Sequence, residues 1–207
     1  MRKPFIVTLT GPSCAGKSTL EARLKEEGFE SIISTTTRPM RAGEFDGESY
    51  YFIPKPVFEA ERYSGAYIET VEFNGNLYGA SVAEVERVAA KGRPIVIVVE
   101  PWGLEQISNY AKEHGWGLFR VFVDNSREVI AERFLTRYAR ENHTACILRD
   151  ESLRVKTLAT YSSRLATMME IEPRWKEQAA PFTDLYLPRF DETNMDNVAF
   201  NVSMVAK

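Results

Sequence analysis

Residues 5–19, FIVTLTGPSCAGKST, constrain this chain more than any other stretch. A short apolar, β-rich run ends at Gly11, and Gly16, Lys17 and Ser18 come next at the spacing Gly-x-x-x-x-Gly-Lys-Ser. This is the spacing of a P-loop. Its glycines let the backbone fold around phosphate oxygens with N–H groups turned inward, and the next helix adds its positive N-terminal end. The loop needs a buried strand before it and a helix after it. Leu20 and Leu24, spaced i,i+4, predict that helix, and Gly28 is placed to cap its C-terminus. Strand, glycine loop and helix together imply an α/β fold. The candidate residues for binding a nucleoside triphosphate are Gly11, Pro12, Ser13, Cys14, Ala15, Gly16, Lys17, Ser18 and Thr19. Lys17 is placed to reach the β- and γ-phosphates, and Ser18 to ligate Mg²⁺.

The rest of the chain agrees with a parallel core sheet. IVIVVE after Pro94 and GLFRVFVD near residue 120 are near-continuous apolar runs, which suit strands buried on both faces. SVAEVERVAAKG reads as an amphipathic helix ending at Gly92, and Ser126 opens another helix that carries Arg133 and Arg137. Residues 138–150, YARENHTACILRD, lose the helical period and read as a mobile flap. A long helix is expected from Glu151 to about Gln178, kinked or split by Pro173. TDLYLP reads as a short strand, and Thr193 to Lys207 as a C-terminal helix with Val198, Val202 and Val205 inward. Residues 34–80 have a different texture, rich in Thr, Gly and aromatics. Asn74-Gly75 lies there between two strand-like runs, a hairpin signal. That segment reads as a small β-rich lobe inserted after the first α/β unit.

Composition excludes several function classes. A formal net charge of −3 argues against sequence-independent nucleic-acid binding, which needs surplus Lys and Arg. The apolar run near the N-terminus is too short for a signal peptide or a membrane span. Cys14 and Cys146 imply no framework of disulfides, so a reducing cytoplasm is the expected setting.

A kinase needs a second anion site facing the P-loop. The segment STTTRPMRAGE offers one, with Arg38 and Arg41 three residues apart among small and turn residues. The planar fork of arginine matches phosphate with paired hydrogen bonds. Tyr50 and Tyr78 can add neutral donors. A switch-type GTPase would carry an Asn-Lys-x-Asp element on a later strand, and the sequence has none.

With these pieces the sequence resembles the guanylate kinase family. The resemblance rests on GPSCAGKSTL, on the motif from Ser34 through Arg38 and Arg41 to Glu44, then Tyr50, Ile68-Glu69, Asn76-Leu-Tyr78-Gly79, and the pair Arg133 and Arg137. It implies a three-layer P-loop fold of the nucleoside monophosphate kinase type, with a parallel core sheet. The core would be about residues 1–33, 81–137 and 151–207, the monophosphate-binding lobe about 34–80, and a helical lid about 138–150. It also implies phosphorylation of GMP or dGMP by ATP with Mg²⁺, with no nucleic-acid or membrane partner, in a monomer or homodimer. By the same resemblance, Arg38, Arg41, Glu44, Tyr50 and Tyr78 belong to the monophosphate site. Ser34 and Glu69 would read guanine, with Glu100 beside them. Lys17, Arg38, Arg133 and Arg137 would form the catalytic set.

The chain departs from the family pattern in places. Cys14 stands where a glycine is usual, and Ala80 where serine follows tyrosine-glycine. The strand IVIVVEPWG carries Val98, Glu100 and Trp102 in place of acid-x-Asp-x-Gln. Two rival readings stand beside this one. One is the same fold acting on another or modified (d)NMP or on a ribose bisphosphate. The other is a non-catalytic guanylate-kinase-like binding module.

Overall fold

The computed structural model describes residues 3–40, 43–73, 75–147, 149–170, 172–191 and 193–206. Its core sheet is built from β1 (Phe5–Thr10), β2 (Glu30–Ser31), β7 (Ile95–Val98), β8 (Gly117–Val123) and β9 (Leu185–Leu187). The five strands run in the order β2-β7-β1-β8-β9, all parallel. The apolar runs are near-continuous because both faces of the sheet are covered. Ile6 of β1 and Ile95 and Ile97 of β7 face α3 (Val82–Ala89), α4 (Pro101–His114) and α7 (Trp175–Ala179). Val7, Leu9 and Val96 face α1 (Lys17–Glu26) and α8 (Met195–Val205). Alternate residues of one strand thus feed two separate cores. The result is three layers, helix–sheet–helix.

A second sheet holds β3 (Thr35–Thr36), β4 (Tyr51–Phe52), β5 (Tyr67–Phe73) and β6 (Asn76–Ser81), in the order β4-β3-β6-β5. β5 and β6 form an antiparallel hairpin whose last pair is Phe73 with Asn76. Gly75 sits in the turn at φ 72°, where a side chain is disfavoured, and Asn74 lies outside the described residues. The inserted lobe is less purely β than the sequence implies. It includes α2 (Lys55–Tyr63), whose buried Phe58 stacks on Tyr67 at 4.5 Å.

The stretch read from its lost period as a flap is helical through Ile147, as the resemblance implies for its lid. α5 runs unbroken over Arg127–Ile147, and α6 spans Glu151–Glu170. YARENHTACI holds no proline or glycine to stop a helix, and its Ala, Arg and Glu favour one. Phe134 and Tyr138 of α5 pack on Tyr161 of α6 at ring distances of 5.1 and 5.0 Å. Asp150 starts α6 by accepting the Leu153 N–H at 2.8 Å. Pro173 divides α6 from α7, with a 3₁₀ turn at Glu172–Arg174 between the two helices. In α8, Val202 is buried and Val198 partly so, but Val205 is exposed and Ala199 and Ala206 take the inner face. Lys207 lies outside the described residues.

Candidate active site

The P-loop leaves β1 at Gly11 and enters α1 at Lys17. Gly11 has φ 142° and Gly16 φ 110°, both closed to ordinary side chains. Space closes these positions as well. A Cβ on Gly11 would lie 1.9 Å from the Val123 carbonyl oxygen, and one on Gly16 would lie 2.6 Å from the Phe190 ring. Cys14 adopts φ 62°, a left-handed conformation that costs a non-glycine residue about 1–2 kcal/mol. The departure from glycine at this position therefore bears on backbone strain. Lys17 Nζ turns back on the loop and donates to the carbonyls of Gly11 at 2.6 Å and Pro12 at 2.8 Å. Ser18 and Thr19 are exposed in the first turn of α1.

Two residues tie the loop to the segment after β9. Arg133 donates to the carbonyls of Cys14 at 3.3 Å, Ala15 at 3.2 Å and Phe190 at 3.1 Å. Asn125 donates through Nδ2 to Ala15 at 2.9 Å and to Phe190 at 2.8 Å, and its Oδ1 accepts the Phe190 N–H. The family resemblance makes Arg133 a lid residue, and its guanidinium rests against the P-loop. Arg137, one turn further along α5, is half-buried near Tyr161. Asn125 and Phe190 escape the sequence reading. Their one signal is the polar cluster Asp124-Asn125-Ser126 directly after an apolar strand.

The second site forms on the small sheet. Arg38 is buried, and its guanidinium makes a paired contact with both Glu44 carboxylate oxygens at 3.0 and 2.8 Å. The same guanidinium lies over the rings of Tyr50 at 5.4 Å and Phe52 at 5.6 Å. Tyr50 meets Tyr78 edge-on at 6.0 Å. Burial, then the neighbouring Tyr78, pushes the Tyr50 hydroxyl up to about 12, so it is a neutral donor. Ser34 is half-buried beside this group, and its carbonyl accepts the Tyr51 N–H at 3.0 Å. Arg41 lies outside the described residues.

Glu69 is the most perturbed acid of the site. It sits on β5 opposite Ala80, almost wholly buried, and its Oε2 has no hydrogen-bond partner among the described residues. A Cβ on Gly103 of α4 would lie 3.0 Å from that oxygen, so glycine there makes room for the carboxyl. Burial, then the charge on Glu100, pushes Glu69 up to about 8, while the Ala80 N–H pulls the other way. Glu100 stands at the N-terminal boundary of α4 just beyond β7, with no side-chain capping bond to that helix, and its field also reaches Tyr50. β7 lies beside β1 in the sheet, so the strand that leads to Glu100 neighbours the strand that leads to the P-loop. The loop and the end of β7 that carries Glu100 lie beyond the C-terminal ends of the parallel strands, the usual place for ligands in such sheets. Chemically, one cradle suits a polyphosphate. The other offers arginine and phenol donors beside a buried carboxyl, one of whose oxygens has no hydrogen-bond partner among the described residues.

Comparison with known proteins gives a consistent picture. The sequence model of the guanylate kinase family matches residues 1–162. A guanylate kinase of Sus scrofa is 44% identical over 110 residues, covering 52% of this chain and 56% of that protein. A guanylate kinase of Rhodopseudomonas palustris is 35% identical over 145 residues, covering 69% of this chain and 64% of the relative. The chain thus spans a little over half the length of these curated relatives. The crystal structure of guanylate kinase from Anaplasma phagocytophilum superposes with a TM-score of 0.63 at 22% identity, covering 99% of this chain and 85% of that one. Among the described residues no helix is long and apolar enough to cross a membrane.

Proposed function

The chain belongs to the guanylate kinase family, and on that premise we propose that it transfers the γ-phosphoryl group of ATP to GMP or dGMP. The observation that carries the acceptor assignment is the buried Glu69 oxygen without a partner among the described residues. Two donors from a bound base, guanine N1–H and the 2-amino group, favour the ionised form of this group, and the carboxylate then accepts from both. Adenine offers an acceptor at N1 and no 2-amino group. A ribose bisphosphate would leave the buried oxygen as it is, so Glu69 favours a base-bearing acceptor.

Residues 34–80 act as the monophosphate lobe. Arg38, Arg41, Tyr50 and Tyr78 hold the phosphate, and Glu44 fixes the Arg38 fork. Ser34 joins Glu69 in reading the base. Glu100 lies between the two substrates and raises the cost of charge on Glu69. The residues Gly11 to Thr19 take the triphosphate of ATP. Lys17 leaves its two loop carbonyls to meet the β- and γ-phosphates. Arg133 and Arg137, on one face of α5, neutralise charge on the group in flight, the main catalytic task in such a reaction.

The donor set at the loop suits magnesium. Ser18 presents an exposed hydroxyl, a hard oxygen ligand, beside a cradle too tight for Cβ atoms at Gly11 and Gly16. Bound there with ATP, the ion supplies charge neutralisation at the phosphate oxygens. The acceptor oxygen of the monophosphate is already anionic at neutral pH, so no general base is required. Closure of the lobe over both substrates keeps water from taking the phosphoryl group. The cytoplasm, where ATP and GMP are found, is the fitting compartment.

A coupled ADP-release panel tests this, with ATP against every ribo- and deoxynucleoside monophosphate. GMP or dGMP is expected to give the highest kcat/KM. Activity with another monophosphate and none with these two would overturn the acceptor assignment.

A further inference from the structure

β5 is an edge strand of the small sheet, and α4 packs along it. Thr70 of β5 stands opposite Gly79 of β6, and its main-chain N–H and C=O both turn to the free edge. There the side-chain amide of Gln106 takes both groups. Its Oε1 accepts the Thr70 N–H at 3.1 Å, and its Nε2 donates to the Thr70 carbonyl at 3.1 Å. Nε2 also donates to the Trp102 carbonyl, one turn back on α4, at 3.2 Å. A helix side chain thus pairs with the strand edge as another strand would. Only a side-chain amide carries a donor and an acceptor side by side for this, and the Thr70 N–H fixes which end points where.

The clasp falls next to Glu69. Gly103 and Gln106 are one turn apart on α4, so they share a face of the helix. Gly103 meets the Glu69 carboxyl, and Gln106 meets the next residue of the strand. The close approach at Gly103 supplies no attraction of its own, because Oε2 of Glu69 has no hydrogen-bond partner among the described residues. The strand is also irregular at this point. Its pairing with β6 passes from Tyr67 with Ser81 to Glu69 with Ala80, which leaves one extra residue in β5. Such a bulge re-aims a side chain and disrupts the ladder locally. At Glu69 the strand is thus loosened on the β6 side, and at Thr70 it is held from the α4 side.

We propose that Gln106 is a positioning residue for base selection, which clasps the Thr70 main chain and so holds the Glu69 carboxyl in the space that Gly103 leaves. This rests on the reading of Glu69 as the group that reads guanine. Gln106 makes no contact with the base in this role and acts through Glu69. Arg38 and Tyr50 lie beside β3 and β4, across the small sheet from β5. Loss of the clasp therefore acts on base discrimination and leaves phosphate and ATP binding in place. β5 lies in the segment 34–80 and α4 in the core, so the clasp also ties the base-reading end of the lobe to the core.

Kinetics of the whole chain with GMP and with inosine monophosphate, which keeps N1–H and lacks the 2-amino group, test the role. Glu69→Gln is the reference and should cut the GMP-to-inosine monophosphate ratio of kcat/KM about tenfold or more. Gln106→Met keeps the length of the side chain and removes both bonds to Thr70. It should cut the same ratio about fivefold with the KM for ATP unchanged. Added to Glu69→Gln, it should cut the ratio no further, because it acts through that residue. In hydrogen-exchange NMR the Thr70 amide should exchange faster in Gln106→Met than in the wild type. Gln106→Ser removes the clasp and lets water reach the Thr70 groups, so it should match Gln106→Met and gives the answer if that variant does not fold. If GMP is not turned over, or Glu69→Gln leaves the ratio unchanged, the base-reading assignment fails and the positioning role fails with it. If Glu69→Gln lowers the ratio and the Gln106 variants do not, the positioning role alone is overturned. Losses that add in the double variant, equal rises in KM for ATP and GMP, or a Thr70 amide that exchanges no faster overturn it as well.

Discussion

Replacing Glu69 by Gln should stabilise this protein, and only at high pH. The wild-type carboxyl is ordinary near 4.5 in the unfolded chain and held at about 8 in the fold, mainly by burial and then by Glu100. Between those values the folded protein keeps a proton that the unfolded chain has lost. Stability therefore falls as pH rises through that window, and levels off above it. At about 1.4 kcal/mol per pH unit, the loss has a ceiling of about 5 kcal/mol above pH 8. Glutamine keeps the shape and can still accept the Ala80 N–H, but it never ionises. A gain of 1 kcal/mol raises Tm by about 2–4 °C in a chain of this size. Thermal denaturation of both proteins from pH 5 to pH 9 is the assay. The two should differ little at pH 5, and the variant should lead by several degrees at pH 9. The same variant should lose GMP selectivity, because a neutral amide cannot accept from both guanine donors as a carboxylate can. Parallel stability curves across the range, or a variant that falls behind at high pH, would refute the claim that burial holds Glu69 neutral.

Cys14→Gly should raise stability by about 0.5–1 kcal/mol, since relief of the left-handed strain outweighs the extra freedom of glycine in the unfolded chain. Denaturant midpoints measure this, and a loss of stability would mean that the thiol packs well enough to offset its φ of 62°. Asn125→Ala removes the side chain that links Ala15 to Phe190. It should cost about 1–3 kcal/mol and raise the KM for ATP more than that for GMP, because buried carbonyls lose donors behind the loop. Steady-state kinetics with each substrate varied decides it, and equal changes in both constants would detach Asn125 from the P-loop.

Some of this is legible in the sequence because chemistry or burial fixes residue types locally. A phosphate cradle demands glycines at φ values that no side chain tolerates, so Gly11 and Gly16 announce themselves. Strands covered on both faces must be apolar throughout, so β1, β7 and β8 read directly. The strands β2, β3 and β4 have two residues each, too few to show any period. α4 is legible in principle, since Leu104, Ile107 and Ala111 recur at helical spacing. Glu69 is not. Alone it is a strand residue with an even chance of facing solvent. What buries it is the pairing with β6 and the close approach of α4 at Gly103, both long-range events. The link from Asn125 to Phe190 likewise joins segments 65 residues apart.

The lost period of residues 138–147 and the outer stripe of α6 have one physical origin. A helical hairpin buries only a narrow seam between its two helices, so most of its surface is free of the pattern that core packing imposes. In α5 beyond Tyr138 that freedom removes the apolar period, and the sequence reads as a flap although the backbone stays helical. In α6 it allows apolar residues to collect on the side away from the seam. Spacing at i, i+3, i+4 and i+7 identifies the stripe at Val155, Leu158, Ser162, Leu165 and Met169, yet it is silent on which side the molecule covers. In an ordinary helix the apolar side is the buried side. Here aromatic, threonine and arginine side chains fill the seam, and the leucines face outward. A stripe placed that way lies away from the seam, so core packing within the single chain does not account for its apolar character.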